Sequence, residues 1–376
     1  MLDKNELVRY SRHILLSEIG TAGQEKLKNA KVLVIGAGGL GCPVLLYLTA
    51  GGVGEIGIVD FDKIDASNLQ RQVLYTVDDI GRLKAETAAA KLAQQNPYVK
   101  FTVFTQQLTT QNALEIINQY AIIVDGTDNF STRYMVNDAC VLLNKPLVYG
   151  AIYRFEGQVS VFNYKVEQQE QGPTYRCLFP VPPGLESTPN CSEIGVLGVL
   201  PGMIGTMQAA EVIKMITGIG TPLSGRLLLL NALTMDVNTL EIKRTCETIK
   251  GVPTNAEEFR KADYAFFCGD VPTAIKSINA KQLLVLLKEK DKLQLLDVRN
   301  SDEEPVINDF FDLQIPFGDL LDEVEKLSRT KQVVVFCKSG MRSKRAIEIL
   351  QKEFQFNNLY HLEEGLMGWI QGNQLT

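Results

Sequence analysis

A glycine-rich turn is the part of this 376-residue sequence in which residue type and spacing constrain the chemistry most. The apolar run 31–35 is followed by Gly36, Gly38, Gly39 and Gly41. Because glycine has no side chain, such a turn lets backbone N–H groups and the N-terminus of a helix approach a phosphate group. The pattern therefore predicts a nucleotide-binding turn between a strand and a helix.

Polar side chains after the second apolar run indicate which kind of nucleotide this is. Asp60 follows that run and could hold a ribose hydroxyl, which by itself would fit a dinucleotide-dependent dehydrogenase. The residues that come next, with Lys84 further on, are basic or carry amides, and this suits a triphosphate better than a nicotinamide cofactor. They are Asn68, Gln70, Arg71 and Gln72.

The acidic segment D-G-T-D-N-F-S-T-R at 125–133 follows another strand-like run. A carboxylate close to a nucleotide phosphate can bind Mg²⁺, which prefers hard oxygen ligands and bridges phosphates. Aspartate at such a position also commonly caps a helix. We expect Asp125 to be the helix cap and Asp128 to bind the metal and contact phosphate.

Cys337 is the candidate nucleophile near the end of the chain. It directly follows the strand-like V-V-V-F and opens a loop that ends at Arg342, before a helix-like stretch. Backbone N–H groups in such a loop, together with the helix dipole, stabilise a thiolate or a persulfide anion. A buried structural cysteine, or an inactive domain kept for binding, are the alternative interpretations.

Strands alternating with helices are needed to bring these residues together, and the sequence predicts them. From residue 31 to about 150 strand-like and helix-like runs alternate, which indicates a doubly wound, mostly parallel α/β sheet. Gly36, Asp60 and the segment 125–128 all follow strands, so we expect them to be neighbours at one edge of the sheet. A second alternation from Ser277 predicts a small α/β domain. The predicted organisation is 1–250, a linker over 251–275, and 276–376.

Composition limits the class of protein. The chain is 45% hydrophobic and 22% charged, with a formal net charge of -6, which argues against a nucleic-acid-coating surface. No apolar run approaches the ~20 residues that a membrane span requires, and the acidic, polar N-terminus is unlike a secretory signal. Seven cysteines without a repeated spacing fit a reducing compartment, so the expected location is the cytoplasm.

The ordered series G-A-G-G-L-G, V-D-F-D, S-N-L-Q-R-Q, G-R-L-K-A and D-N-F-S-T-R resembles the sulfur-carrier adenylyltransferases of the ubiquitin-activating superfamily, the MoeB/ThiF/HesA group. The resemblance covers about residues 5–250. It implies a Rossmann-like enzyme that uses ATP and Mg²⁺ to adenylylate the C-terminal Gly-Gly carboxylate of a ubiquitin-like carrier protein, with release of pyrophosphate.

The resemblance also implies roles for individual residues. Asp60 would hold the ribose and Asp128 would position Mg²⁺. The phosphates would be neutralised by Asn68, Arg71 and Lys84. Arg12 matches an arginine that reaches the ATP of the partner subunit, which implies a homodimer; a solvated helix face explains Arg12 equally well. The full set of implied nucleotide-binding positions is Gly36, Gly38, Gly39, Gly41, Asp60, Asn68, Gln70, Arg71, Lys84, Asp128, Asn129 and Arg12.

The cysteines of the first domain match the family in part. Cys191 matches a loop cysteine that links covalently to the carrier in some members, and a structural role is the alternative. Many members also carry two C-x-x-C pairs that form a tetrahedral zinc site. This chain has only Cys177 and Cys246 of those four positions, and two thiolates cannot supply four ligands. We therefore expect no zinc.

The last hundred residues resemble a rhodanese domain, over about 275–376. The resemblance rests on V-V-V-F-C-K-S-G-M-R, on L-L-D-V-R at 295–299 and on H-L-E-E-G-L-M-G-W at 361–369. The short loop from Cys337 to Arg342 favours sulfur transfer, because related phosphatases have one residue more. The usual Gly-His-Ile element after D-V-R is absent, and E-P-V-I-N-D stands there, so this half of the domain is divergent.

Taken together, the sequence predicts a fused adenylyltransferase and sulfurtransferase. A persulfide on Cys337, loaded by a cysteine desulfurase or another sulfur donor, would convert the activated carrier carboxylate into a thiocarboxylate for molybdopterin, thiamine or tRNA thiolation. Nucleic acid and membrane are not expected partners. Two alternatives remain: a Rossmann NAD-dependent oxidoreductase with an appended rhodanese-like binding module, and a scaffold that only recruits a carrier.

Overall fold

The computed structural model describes residues 1–165, 171–182, 195–245, 249–268, 275–305 and 310–373. It divides the chain into two compact units, Met1–Gly269 and Asp270–Thr376. Each unit has its own sheet and its own hydrophobic core. Among the described residues, no helix combines the length and the apolar character that crossing a bilayer requires.

The first unit is built on an eight-stranded sheet with the strand order β3-β2-β1-β4-β5-β6-β7-β8. The first five strands in the chain pair in parallel, and the last three are joined by antiparallel pairs. The predicted mostly parallel sheet is confirmed. Its strands are β1 Lys31–Ile35, β2 Glu55–Val59, β3 Lys100–Phe104, β4 Ile122–Asp125, β5 Leu147–Tyr153, β6 Glu156–Phe162, β7 Arg226–Asn231 and β8 Val237–Glu241.

Helices connect the parallel strands and cover the sheet. In β1 the side chains alternate between two cores, with Val32 and Val34 in one and Leu33 and Ile35 in the other. A strand that is buried on both faces in this way is typical of a parallel sheet between two helical layers. The helices of this unit are α1 Lys4–Arg9, α2 Ser11–Ile14, α3 Gly20–Asn29, α4 Gly41–Gly51, α5 Lys84–Gln95, α6 Ala113–Asn118, α7 Phe130–Leu142, α8 Tyr175–Leu178, α9 Leu200–Thr217, α10 Ala256–Lys261 and α11 Tyr264–Phe267.

The sequence predicts a linker over 251–275, and the first part of this range differs from that expectation. Two short helices, α10 and α11, form there, and both pack against α7. Phe259 and Tyr264 are buried, and the Tyr264 hydroxyl donates a hydrogen bond to Asp138 at 2.8 Å. The missing periodicity that indicated a linker reflects helices too short to show an amphipathic repeat.

The second unit contains a five-stranded sheet with the order β11-β10-β12-β13-β9, and all its pairs are parallel. One core lies on each face of the sheet. The predicted small α/β domain is therefore confirmed. Its elements are β9 Lys276–Ile278, α12 Ala280–Leu286, β10 Leu293–Asp297, β11 Leu313–Gln314, β12 Gln332–Phe336, α13 Met341–Phe354, β13 Leu359–Leu362 and α14 Gly365–Asn373.

Candidate active sites

Two glycines close the turn between β1 and α4. Gly36 has a φ of +93°, and a Cβ at this position would lie 2.8 Å from the carbonyl oxygen of Gly126. A Cβ on Gly41 would lie 1.9 Å from the carbonyl oxygen of Gly36. Because both obstacles are backbone atoms, neither can be relieved by moving a side chain, and only glycine fits.

Of the two remaining glycines, Gly38 leaves room beside the turn, whereas Gly39 packs closely against Pro201. A Cβ on Gly38 would meet only Gln72, at 3.5 Å from its Nε2, and one on Gly39 would lie 3.1 Å from the Cβ of Pro201. Helix α4 begins at the end of this turn, so its first N–H groups and the positive end of its dipole add to the backbone donors there. The turn can accept a phosphate group beside Gly38.

Asp60 lies directly after β2 and is only 9% exposed. Its Oδ2 accepts the N–H of Ala37 at 2.8 Å, and its Oδ1 accepts the N–H of Asp62 at 2.9 Å. Burial raises the pKa of the Asp60 carboxyl, and these N–H donors and Lys84 oppose that rise. Asp60 therefore joins the end of β2 to the glycine turn. Its unused lone pairs can still accept a ribose hydroxyl.

Lys84 is held by a carboxylate that the sequence motif did not single out. Its side chain is buried, and its Nζ donates to Asp62 Oδ2 at 2.9 Å, while its backbone N–H donates to the Asp62 carbonyl at 2.9 Å. Asp62 is half exposed. The lysine expected to neutralise phosphate is thus already paired with the second aspartate of V-D-F-D.

Arg71 lies beside the glycine turn. Its Cγ is 3.6 Å from the place that a Cβ on Gly39 would take, and its Nη1 donates to the Ser67 carbonyl at 3.0 Å. Asn68 accepts the N–H of Asp65 at 3.3 Å, which fixes the short 3₁₀ turn Ala66–Asn68. The turn thus presents Arg71 next to the predicted phosphate site.

The two glutamines of S-N-L-Q-R-Q lie in different surroundings. Gln70 is exposed and lies against Gly198, where an added Cβ would be 2.3 Å from the Gln70 Oε1. Gln72 is 4% exposed, and its Oε1 has no hydrogen-bond partner among the residues that the structure describes. A buried amide with an unsatisfied oxygen beside the turn can accept a hydrogen bond from a ligand hydroxyl. Gln72 therefore joins Gln70 as a candidate for contact with a nucleotide.

The expected helix cap at Asp125 is wrong. Asp125 is completely buried, and its carboxylate accepts hydrogen bonds from the Thr127 N–H at 2.9 Å and from the Arg133 Nε at 3.3 Å. The residue that caps α7 is Asn129, whose Oδ1 accepts the N–H of Thr132 at 2.9 Å. Asp125 is instead a buried anchor at the end of β4 that pairs with Arg133 in the first turn of α7.

Asp128 is exposed between these two residues. None of the hydrogen bonds or ion pairs within the described part of the chain involves its carboxylate. It follows β4, next to β1 in the sheet, so it lies at the strand edge that also carries the glycine turn. A free, hard-oxygen ligand at this edge has the donor chemistry that Mg²⁺ prefers.

Arg12 lies in α2 and is exposed. The described residues supply it with no hydrogen bond or ion pair. Leu15 and Leu16, which follow α2, are 72% and 52% exposed. Arg12 therefore has no internal role among the described residues, and both the partner-subunit role and the solvated helix face stay open as explanations.

Of the two cysteines at zinc-ligand positions the structure describes Cys177, and Cys246 lies outside the described residues. The candidate carrier-linking Cys191 also lies outside them. Cys177 is half-buried, and its Sγ accepts the N–H of Thr174 at 3.3 Å. The two side chains cap the short helix α8 reciprocally. Thr174 occupies the place of the first cysteine of a C-x-x-C pair, and here it is part of a helix cap.

Cys337 is buried directly after β12, in a loop that wraps around its sulfur. Its Sγ accepts the N–H of Gly340 at 3.2 Å, and its carbonyl accepts the N–H of Leu366 at 2.8 Å. A Cβ on Gly365 would lie 2.3 Å from the Cys337 carbonyl oxygen. The loop and the start of α14 therefore pack closely, and the N-terminus of α13 follows the loop, as the sequence predicts.

Arg342 is paired with a carboxylate that the sequence analysis missed. Both of its terminal nitrogens donate to Glu303, with 2.6 Å between Nη2 and Oε2. This contact holds the pKa of the Glu303 carboxyl at about 2 and raises the pKa of Arg342. Glu303 directly precedes the segment E-P-V-I-N-D that replaces the usual element after D-V-R. The one sequence signal for Glu303 as a partner of Arg342 is its place six residues after Asp297, where β10 ends.

Comparison with known proteins agrees with this geometry. The model of the ThiF family matches residues 10–250, and that of the rhodanese-like domain matches residues 279–371. The chain is 43% identical over 382 residues to a probable adenylyltransferase/sulfurtransferase MoeZ of Mycobacterium tuberculosis, covering 99% of this chain and 95% of the relative. It is 51% identical over 268 residues to a sulfur carrier protein adenylyltransferase of Thermus thermophilus, covering 71% of this chain and 98% of that one.

Two further comparisons extend this result. The adenylyltransferase and sulfurtransferase MOCS3 of Culex quinquefasciatus is 40% identical over 377 residues, covering 95% of this chain and 85% of that protein. A crystal structure of E. coli MccB with ATP matches with a TM-score of 0.54 and 25% identity, covering 63% of this chain and 72% of that one. The predicted resemblance is confirmed, and an oxidoreductase is not favoured. The chain belongs to the ThiF family and carries a C-terminal rhodanese-like domain.

Proposed function

We propose that this enzyme uses ATP to adenylylate the C-terminal Gly-Gly carboxylate of a ubiquitin-like sulfur-carrier protein, with release of pyrophosphate. The observation that carries the proposal is the convergence of the glycine turn, Asp60, Lys84 and Asp128 at the carboxyl ends of neighbouring parallel strands. A carboxylate that attacks the α-phosphorus brings two anions together. Catalysis then depends on position and on charge neutralisation, and no general base is needed.

Each side chain has a distinct part in this proposal. Lys84 and Arg71 neutralise phosphate charge, and Asp60 accepts a hydroxyl of the ribose. Mg²⁺ suits the free carboxylate of Asp128, and when bound it would supply charge neutralisation at the phosphates. Gly38 leaves space for the phosphate chain, and Gln72 has an unsatisfied amide oxygen beside it.

The second domain would supply sulfur through Cys337. The terminal sulfur of a Cys337 persulfide attacks the carboxyl carbon of the acyl-adenylate, a new carbon–sulfur bond forms, and AMP leaves. A second thiol then attacks the Cys337 Sγ: a disulfide forms between the two, the S–S bond to the carrier breaks, and the thiocarboxylate leaves. A dithiol reductant returns Cys337 to its thiol. Cys191 is our candidate for a covalent link to the carrier. Placing both activities on one chain raises their effective concentration.

Finer features follow the same proposal. A cysteine desulfurase or a similar persulfide donor loads Cys337. The enzyme works as a cytoplasmic homodimer in which Arg12 reaches the ATP of the partner subunit. The carrier serves molybdopterin, thiamine or tRNA thiolation. We also propose that no structural zinc is bound. The cap between Thr174 and Cys177 supports this, because the threonine hydroxyl takes the place of a thiolate ligand.

The test is ATP–pyrophosphate exchange in the presence of a Gly-Gly-ended carrier. We expect exchange in the wild type and its loss in Asp128→Ala, with the fold intact. Asp78→Ala removes an equally exposed aspartate from the 3₁₀ turn Val77–Asp79 and serves as the matched control, with exchange unchanged.

Three outcomes would count against the proposal. Exchange that persists in Asp128→Ala removes Asp128 from its role. Carrier binding without any exchange in the wild type makes the chain a scaffold. Tight binding of NADH in place of ATP restores the oxidoreductase interpretation.

A further inference from the structure

Ser343 and His361 form a buried polar cluster with Cys337 that the sulfur-transfer proposal does not use. The Ser343 Oγ lies 3.7 Å from the Cys337 Sγ, 3.2 Å from the His361 Nδ1 and 3.0 Å from the carbonyl oxygen of Gly340. All four residues are buried. The chain brings them together from the loop, from the first turn of α13 and from β13.

Counting the hydrogens of the cluster decides where the serine proton can go. The Ser343 hydroxyl has one hydrogen and three neighbours, of which the Gly340 carbonyl can only accept. If His361 carries its hydrogen on Nδ1, that N–H donates to the Ser343 Oγ, and the serine hydrogen is left for Gly340 or for the sulfur. Hydrogen bonds to an ionised partner are about twice as strong as neutral ones. When Cys337 becomes a thiolate, the serine hydrogen therefore moves to the sulfur.

The loop holds this arrangement in place. A Cβ on Gly340 would lie 3.0 Å from the His361 Cε1, so the loop backbone packs directly against the imidazole ring. Gly340 has a φ of +94° and also donates its N–H to the Cys337 Sγ. Ring, loop and sulfur cannot shift independently, which keeps the serine hydroxyl between the nitrogen and the sulfur.

We propose that Ser343 donates a hydrogen bond to the Cys337 thiolate and that His361 is a positioning residue that directs this hydrogen bond through its Nδ1–H. The thiolate so stabilised takes the sulfane sulfur of a donor persulfide. A bond forms between Cys337 Sγ and that sulfur, the donor S–S bond breaks, and its electron pair leaves on the donor thiolate. The electron pair of the Cys337 thiolate becomes the new bond, the negative charge leaves on the donor thiolate, and the terminal sulfur keeps the proton that it carried on the donor, so charge and electrons balance.

The charged surroundings are consistent with a neutral imidazole. Burial lowers the pKa of His361 to about 4, and Lys344 on α13 contributes in the same direction. The charged groups around Cys337 include Arg342 with its partner Glu303, and Asp297 with its partner Arg299 at the end of the neighbouring β10. His361 therefore does not change charge at neutral pH. The rate of Cys337 alkylation plotted against pH should show no step that comes from the histidine.

The test is the pH profile of Cys337 alkylation by iodoacetamide in the full chain, with the Cys337 peptide quantified by mass spectrometry. Ser343→Ala should raise the apparent pKa of the thiol by about one unit, which slows alkylation about tenfold below that pKa and not above it. His361→Leu should shift the profile in the same direction, and His361→Asn, which keeps an N–H at the Nδ1 position, should restore it.

Two further variants make the result specific. In the double variant with Ser343→Ala and His361→Leu, the histidine change should add nothing, because it acts through the serine. Ser277→Ala removes an exposed hydroxyl from β9, opposite His361 in the sheet, and should leave the profile unchanged. Ser343→Thr keeps the hydroxyl and should resemble the wild type, which separates loss of the hydrogen bond from loss of fold.

An unchanged profile in Ser343→Ala would overturn the proposal. So would a further shift caused by His361→Leu in the Ser343→Ala background. The proposal rests on the sulfur-transfer role of Cys337, but alkylation requires no carrier and no sulfur donor. An inactive enzyme with the expected profiles would contradict the proposed function and leave the hydrogen-bond assignment standing.

Discussion

The two candidate sites handle negative charge in different ways. In the function proposed for the first domain the anion is a ligand, and the groups proposed to surround it come from distant parts of the sequence: the glycine turn, Asp60, Lys84 and Asp128. In the second domain the anion is the protein's own sulfur, and the donors around Cys337 come mostly from the next six residues. A site for an incoming polyanion must stay open, whereas a site for a resident anion can be buried.

Both sites nevertheless prepare their main cation in the same way. Lys84 is paired with Asp62, and Arg342 is paired with Glu303. Each carboxylate fixes the position of the cation. It also lowers the net positive charge of the site before any substrate is present. The sequence motif therefore identifies only the cation of each ion pair. The carboxylate that pairs with it determines how strongly the cation attracts an anion.

The largest expected effect separates the two domains completely. Cys337→Ala removes the sulfur that carries the persulfide, so no thiocarboxylate should form, while ATP–pyrophosphate exchange should stay at the wild-type rate. Mass spectrometry of the carrier and the exchange assay measure the two activities on the same preparation. Thiocarboxylate formation by Cys337→Ala would mean that the second domain does not supply the sulfur.

Two glycines of one turn should respond in opposite ways to alanine. In Gly41→Ala the new Cβ would lie 1.9 Å from the Gly36 carbonyl oxygen, so we expect a misfolded or strongly destabilised first domain. In Gly38→Ala the nearest atom is the Gln72 Nε2 at 3.5 Å, so the fold should survive and ATP binding should weaken because the methyl group occupies phosphate space. Thermal unfolding and ATP titration distinguish these effects, and equal stability of the two variants would contradict this account of the turn.

The pair of Lys84 and Asp62 should show a graded effect on exchange. Lys84→Met removes the charge and should lower kcat/KM for ATP about a hundredfold, the usual cost of losing one charge-stabilising group. Asp62→Asn keeps the shape and should lower it about tenfold, because Lys84 is then less well positioned. Lys4→Met on the exposed face of α1 is the matched control. A larger loss in Asp62→Asn than in Lys84→Met would indicate a direct role for Asp62.

Breaking the ion pair of Arg342 and Glu303 should have the smallest effect of the four. It should lower the free energy of unfolding at neutral pH and not at strongly acid pH. The pKa of Glu303 is lowered from 4.5 to about 2, so the pair stabilises the fold fully above about pH 4.5, and the contribution is lost as pH falls through 2. Glu303→Gln should lower the free energy of unfolding by about 0.5–1 kcal/mol at neutral pH, because both partners are about a quarter exposed.

Denaturant unfolding measures the difference in the free energy of unfolding between wild type and Glu303→Gln. This difference should become smaller as the pH falls from about 5 to about 3. His361 titrates in both proteins over this range, so its contribution cancels in the difference. Glu325→Gln, an exposed glutamate of the same domain, should show no such narrowing. A difference in the free energy of unfolding that grows as the pH falls would contradict the assigned ion pair.

Much of the fold was predictable because its signals are local. The strand-like runs predicted between residue 31 and about 150 coincide with β1 to β5, and the glycine spacing places the turn correctly. The helices α10 and α11 could not be predicted in the same way. Each is shorter than two turns, and both depend on packing of residues such as Phe259 against a distant helix.

The sites were predictable only where a residue acts through its neighbours in sequence. Cys337 and Asp128 could be singled out from the strands that precede them. Asp125 was misassigned as a helix cap because its partner Arg133 lies eight residues away on the following helix, and short polar residues around a helix start are interchangeable in sequence. Glu303 and His361 carry no local signal, since they meet the Cys337 loop only through the fold.

The central claim is that one chain activates a carrier carboxylate in its first domain and adds sulfur to it from its second. The most direct test incubates the protein with ATP, Mg²⁺, a Gly-Gly-ended carrier and a persulfide donor, and then weighs the intact carrier. We predict a carrier in which one oxygen of the terminal carboxylate is replaced by sulfur, only when ATP and Cys337 are both present. Sulfur incorporation without ATP, or an unchanged carrier with every component present, would contradict the account.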